Sequence, residues 1–214
     1  MKIITSITIA LVASASGAIL ADYSFATDLS ATTSGVTATD LAGGAGFTVS
    51  HSTVYGITTQ AAGLDGGVGS ALSGAVSSDE YFTFTISDPG TDNAMNLTSL
   101  DGTFRLRGNG AQDFYFFSDV NGAVGFTPTE AFASYTGVSD GDTFSIDLTG
   151  ADFQGLSSVE FRVVVDNRIT NTSIASDTGF AGLQLNGDIV PIPEPTSAAL
   201  LGLGGLALVT RRKR

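Results

Sequence analysis

The chain has 214 residues, with 21 acidic against 9 basic side chains, a net charge of −12, one histidine and no cysteine. These numbers exclude a disulfide scaffold, a Cys/His metal site and a Cys–His nucleophilic pair, and the acidic balance argues against a partner with a phosphate backbone, so no nucleic-acid role is expected. About 170 residues remain once two unusual ends are set aside, enough for one domain with a substantial interior.

The first of those ends opens with Met1 and Lys2, a short positive stretch, followed by an apolar run from Ile3 to Val12. Small residues follow at Ala13, Ser14, Ala15, Ser16, Gly17 and Ala18. A positive start, an apolar run too short to span a bilayer and a small-residue tract make a secretory signal peptide. Cleavage after Ala18 satisfies the small-x-small rule through Ser16, and cleavage after Ala21 is the competitor. Residues 1–21 are assigned to this leader, and the mature chain is expected to begin close to Asp22.

From there to residue 187 the pattern repeats every two residues. Phe82, Phe84 and Ile86 alternate with Tyr81, Thr83 and Thr85, and Leu100, Phe104 and Leu106 are opposed by Asp101, Thr103, Arg105 and Arg107. Phe144, Ile146 and Leu148 alternate with Thr143, Ser145 and Asp147, and Val159, Phe161, Val163 and Val165 with Glu160 and Arg162. Period two with one apolar face is the mark of a half-buried strand, and a slip of one residue would turn each apolar set toward water. Further strands are expected over Tyr23 to Thr27, Phe47 to Ser50, Val54 to Thr59, Asp113 to Ser118, Ala131 to Thr136 and Gly179 to Leu185. Gly-, Asn- and Asp-rich turns at Leu64 to Gly69, Asp88-Pro89-Gly90, Gly108-Asn109-Gly110, Asn121-Gly122 and Asp140-Gly141-Asp142 suggest antiparallel connections. No segment carries a helical stripe. The fold class expected is all-β, an antiparallel β-sandwich of jelly-roll, lectin-like kind, over residues 22–187. Ser30 to Gly46 and Gly63 to Ser78 read as long loops.

Chemistry is sparse. His51, the single histidine, lies in Val49-Ser50-His51-Ser52-Thr53, which has no nucleophile-elbow signature and reads as a loop or strand-end residue. Paired carboxylates for glycoside hydrolysis would draw on Glu80, Glu130 or Glu160, and Glu160 has the parity of a solvated strand face beside Arg162. Ca²⁺ is the candidate ion, because it prefers the hard oxygens that Asp140 and Asp142, Asp88 and Asp92 with Asn93, and Asp119 with Asn121 bring to three turns. Those residues are also ordinary turn formers. Arg105 and Arg107 share the outer face of one strand and are placed near the run Phe114-Tyr115-Phe116-Phe117, where a sugar could stack on Tyr115.

The far end has three parts. Residues 188–195 read as a stalk closing on Pro193-Glu194-Pro195, then comes an uncharged run from Thr196 to Thr210 rich in Leu, Gly and Ala, then Arg211-Arg212-Lys213-Arg214. Fifteen residues at helical rise cover about 22 Å, short of the roughly 30 Å hydrocarbon core, so the run makes a marginal transmembrane helix. The basic cluster should stay in the cytoplasm, with everything before Pro193 outside. Five of the nine cations and one of the 21 acids fall in residues 1–21 and 193–214, leaving Arg105, Arg107, Arg162 and Arg168 against 20 carboxylates, a charge of about −16 on the exported part.

This order, Pro-Glu-Pro, short Leu/Gly/Ala helix and terminal basic cluster, resembles the PEP-CTERM sorting domain of exported Gram-negative bacterial proteins. The resemblance implies recognition by an exosortase, an integral-membrane cysteine protease that cuts near the tripeptide and passes its substrate to the cell surface or extracellular matrix. Pro193, Glu194 and Pro195 would then be the sorting and processing motif and Arg211, Arg212, Lys213 and Arg214 the membrane-retention cluster, all of them substrate. The segments Tyr81-Phe82-Thr83-Phe84, Val159-Glu160-Phe161-Arg162 and Gly182-Leu183-Gln184-Leu185-Asn186-Gly187 resemble the sandwich domains that precede this signal. The function expected is that of a non-enzymatic envelope or matrix protein, structural or bound to extracellular polysaccharide. The alternative is a secreted carbohydrate-active enzyme using two carboxylates. A polysaccharide panel separates the two by whether saccharide is released.

Overall fold

The computed structural model describes residues 17–44, 48–52, 56–60, 81–87, 90–107, 111–120, 131–168 and 177–192. Thirteen strands occur among them, in chain order β1 (Ala18–Tyr23), β2 (Thr32–Thr33), β3 (Thr37–Ala38), β4 (Ala42–Gly43), β5 (Thr48–Ser52), β6 (Gly56–Gln60), β7 (Tyr81–Ser87), β8 (Asn93–Arg107), β9 (Ala111–Ser118), β10 (Ala133–Tyr135), β11 (Thr143–Asp147), β12 (Ser158–Arg168) and β13 (Asp177–Pro191). A single 3-10 turn, Ala151–Phe153, is the one helical element among the described residues. The protein is all-β.

The strands form two main antiparallel sheets and a hairpin. The first sheet runs β11-β8-β13-β1-β2, and the second β10-β9-β12-β7-β3, with β4 also on β7. β5 and β6 pair with each other. Strands consecutive in sequence often lie in different sheets: β7, β9, β10 and β12 in the second alternate with β8, β11 and β13 in the first. Chain crossings of this kind require the two sheets to fold together.

The period-two pattern explains which faces meet. Phe82, Phe84 and Ile86 of β7 and Val159, Phe161 and Val163 of β12 point inward from one sheet, and Leu100 and Phe104 of β8 with Phe180, Leu183 and Leu185 of β13 from the other. They join in one core cluster. Rings touch across the interface: Phe82 lies 5.2 Å from Phe180, Phe104 4.4 Å from Phe114 and Phe116 5.1 Å from Phe144, centroid to centroid. Aromatic pairs at such spacings add about 0.5–1.5 kcal/mol each beyond their burial. With no cysteine in the chain, this aromatic interior supplies what a disulfide would otherwise contribute.

Close approach is enforced by glycine at two points. A Cβ on Gly102 would meet the Phe144 ring at 2.6 Å and the Gly182 carbonyl at 2.8 Å, so β8 accepts no side chain beneath that ring. Gly141 has φ +86 in the Asp140-Gly141-Asp142 turn, a conformation that costs glycine nothing.

Several expectations are revised. The strand expected over Tyr23 to Thr27 runs instead over Ala18–Tyr23, so residues assigned to the end of the leader are the first strand of the fold. Leu20 and Ala21 are 2% and 0% exposed, which is why an apolar stretch readable as leader is equally readable as a buried strand. Residues 188–191, expected as stalk, complete β13: Asp188, Ile189, Val190 and Pro191 pair with Asn96, Met95, Ala94 and Asn93 of β8. The Ser30 to Gly46 stretch is not one loop but contains β2, β3 and β4. The loop expected over Gly63 to Ser78 lies outside the described residues.

Candidate functional site

The outward faces of the two sheets differ. On the first sheet the register sets Ser145, Asp101, Gln184, Asp22 and Thr32 in one row across β11, β8, β13, β1 and β2. Asn186 on β13 donates through Nδ2 to Asp101 Oδ2 at 2.6 Å and to Ser99 Oγ at 3.1 Å, and Ser99 donates to the same carboxylate at 2.7 Å. These residues tie strands together by side-chain hydrogen bonds on a polar face.

On the second sheet the outward face is aromatic. Val164 of β12 pairs with Tyr81 of β7 on one side and Tyr115 of β9 on the other, so Tyr81, Val164 and Tyr115 form a row across three strands. Strand spacing puts the two tyrosine backbones about 10 Å apart. Phe117 and Val164 are buried in a small cluster separate from the main core, with Tyr81, Tyr115 and Ala131 packed around them. Arg162 stacks its guanidinium 4.6 Å from the Tyr81 ring centre and donates from Nε to Glu160 Oε1 at 2.7 Å. Thr83 donates to the same oxygen at 3.1 Å. Glu160 is therefore held by an arginine and a threonine of its own sheet face.

The arginines expected beside this aromatic run are elsewhere. Arg105 is on β8, in the sheet opposite β9, and Tyr115 has Arg162's strand as its neighbour instead. Phe114 and Phe116 are core residues, as their parity requires. Tyr81 and Arg162 were the participants that sequence reasoning did not single out for this face, although the opposite parity of Tyr81 to Phe82 and Phe84 carries the signal.

The carboxylates of Asp140, Asp142 and Asp119 are each taken up by a structural partner. Asp140 receives Arg105 Nη1 at 3.1 and 2.9 Å on its two oxygens and the Leu106 N–H at 2.9 Å. Asp142 accepts the Ser139 N–H at 2.7 Å through Oδ2, closing its own turn. Asp92 sits next to the start of β8, with its carbonyl accepting the Ile192 N–H at 2.8 Å, whereas Asp140 is at the opposite end of the strand. Fourteen residues of strand separate them, about 45 Å at strand rise, so the structure does not bring them together. Asp119 accepts the Glu160 N–H at 2.9 Å, tying the end of β9 to β12. Asp88 and Asn121 lie outside the described residues, and among the described residues no group of three or more His, Cys, Asp or Glu side chains could hold a metal ion. Glu80 and Glu130 are also outside them.

His51 on β5 bonds through Nε2 to the carbonyl of Phe25 at 2.8 Å. Asp28, whose carboxyl is held below its usual value chiefly by the Ser30 hydroxyl and also by the Ser30 N–H, feels the nearby imidazole as a smaller influence. The histidine thus ties the hairpin to the loop after β1.

Pro193, Glu194, Pro195 and the cluster from Arg211 to Arg214 lie outside the described residues, as does the run over 196–210. Among the described residues no helix is long and apolar enough to cross a membrane. Residues 191–214 match the family described as the PEP-CTERM protein-sorting motif. The match begins at Pro191, the last residue of β13. No curated protein and no solved structure matches the chain. The motif marks an exported protein with a sorting signal that an exosortase processes in the membrane.

Proposed function

We propose that this is a non-enzymatic envelope or matrix protein of a Gram-negative bacterium, a β-sandwich of jelly-roll type held briefly at the inner membrane by its tail and then released to the surface or extracellular matrix. The observation that carries the reading is the continuity of the sorting motif with β13: the signal starts where this 15-residue strand of the first sheet ends. In this reading residues 196–210 form the marginal membrane helix and Arg211, Arg212, Lys213 and Arg214 hold its end in the cytoplasm. Only Ile192 separates the paired backbone of β13 from Pro193. Three extended residues reach about 10 Å, so the folded domain would sit against the bilayer until the tail is cut.

The ligand reading is glycan binding on the outward face of the second sheet. Tyr81 and Tyr115 flank Val164 there, and flat apolar rings beside hydrogen-bonding groups suit the mixed faces of a sugar. Glu160, engaged by Arg162 and Thr83, supports binding rather than acid catalysis.

Two measurements test the proposal. Replacing Arg211 to Arg214 with neutral residues should move the protein out of the membrane fraction or leave it unprocessed, and unchanged fractionation would sink the delivery mechanism. The purified protein should be retained on one member of a polysaccharide panel and lose retention in Tyr81→Ala and Tyr115→Ala. Saccharide release without loss of protein would establish the carbohydrate-active enzyme instead.

A further inference from the structure

The leader offers two scissile bonds, Ala18–Ile19 and Ala21–Asp22, and the small-residue rule alone does not choose between them. The fold does. β1 is an interior strand of the first sheet, flanked by β13 on one side and β2 on the other. Its register with β13 sets Ala18 against Gly187, Ile19 against Asn186, Ala21 against Leu185, Asp22 against Gln184 and Tyr23 against Leu183.

The three residues between the two bonds do different things. Ile19 is 46% exposed, and Ala18 is exposed as well. Leu20 and Ala21 are buried at 2% and 0%. Leu20 packs against Gly187 so closely that a Cβ there would come within 2.9 Å of its Cδ1. The Leu20 carbonyl accepts the Ser34 N–H at 3.0 Å, which holds the start of the β2–β3 segment to the sheet. Cutting after Ala21 would remove Leu20 and Ala21 from the core and leave Asn186 and Leu185 of β13 without their partners in β1. It would also place a new ammonium group at Asp22, in the middle of a sheet. Cutting at Ala18 or upstream keeps the Leu20 and Ala21 burial, the Ser34 bond and the partners of Asn186 and Leu185, and costs at most the Ala18–Gly187 pair at the exposed end of the strand.

We infer that leader removal does not pass Ala18, so that the mature protein retains Ile19-Leu20-Ala21 as the beginning of β1. The inference rests on the export reading above and adds to it the limit of the processing site. Leader removal then finishes the folded domain's first strand instead of trimming into it.

The test is the first residue of the mature protein. The full chain is expressed in a host that exports it, recovered from outside the cytoplasm, and characterised by amino-terminal sequencing and intact mass. The expected first residue is Ile19, or one of the small residues between Ala13 and Ala18. A first residue of Asp22 or later overturns the inference and leaves export standing. Met1 retained on all of the protein overturns the export reading and this inference with it, so the two failures are distinguishable.

Discussion

The only histidine of the chain, His51, donates from Nε2 to the carbonyl of Phe25 at 2.8 Å, and Phe25 is the one non-glycine residue with positive φ among the described residues, at 52°. A bulky side chain in that region carries backbone strain, yet Phe25 is 3% exposed and its ring lies 5.9 Å from that of Tyr23, tilted by 30°. Burial of the ring and the bond from β5 together hold the strained turn. The histidine is structural.

His51→Ala should therefore lower stability by about 1 kcal/mol, the loss of one hydrogen bond to a partly buried carbonyl. Urea unfolding checks this. Unaltered stability would show that Phe25 needs no help from β5.

Tyr23 gives a prediction on the alkaline side. Its hydroxyl donates to the Thr39 carbonyl at 2.6 Å, and burial first, then the charge of Asp40, pushes its ionisation well above the ordinary value of 10.0. A group whose ionisation is raised by folding contributes stability that is complete below the unfolded value and is lost as pH rises past it. Stability should fall above pH 10, and Tyr23→Phe should flatten that fall while lowering stability at neutral pH by about 1 kcal/mol. Equal alkaline slopes in the two proteins would contradict the assignment.

Ser118 runs the other way. Its side chain is 0% exposed and its hydroxyl has no hydrogen-bond partner among the described residues, which leaves the buried oxygen desolvated without return. Ser118→Ala should raise stability by about 1 kcal/mol and with it the thermal midpoint by a few degrees. A destabilised alanine variant would mean that the hydroxyl has a partner after all, such as a buried water.

The acidic turns bear on calcium. Both oxygens of Asp140 accept Arg105 Nη1 and one also takes the Leu106 N–H, so a cation there would have to displace an arginine. Calcium up to roughly 10⁻³ M, the range of extracellular modules, should leave the thermal midpoint where it stands in chelator. Asp140→Ala should cost about 1 kcal/mol, mostly through loss of the acceptor for the Leu106 N–H, because the ion pair is part-exposed at 30% and 45%. A rise of several degrees with calcium would restore a metal role to these residues.

Much of the fold was legible where one face of a strand is buried and the other wet. Phe82, Phe84 and Ile86, or Val159, Phe161 and Val163, announce their strand because alternation is the only pattern that buries such a set. Ala18–Tyr23 was not legible as a strand, because Ile19, Leu20 and Ala21 continue an apolar leader without a break and only pairing with β13 separates the two. The end of β13 reads as linker for a similar reason: Asp188 and Pro191 are turn residues by composition, and β8 holds them in a ladder. The neighbours of Tyr115 were misplaced because β8 and β9 follow each other in sequence yet lie in opposite sheets. Local pattern carries no information on that.

By itself the sequence determined the all-β class, the inward set of most strands and the sorting signal at its end. A sorting signal is read by another protein as a short linear order of residues, and a strand face is set by parity, so neither needs distant parts of the chain. The tertiary structure alone decided that residues 18–21 and 188–191 are paired strand, which carboxylates are already bound by neighbours and which aromatic residues share a face. Those facts depend on pairings between residues as far apart as Leu20 and Gly187, whose contact exists only when the first strand of the chain closes on the last.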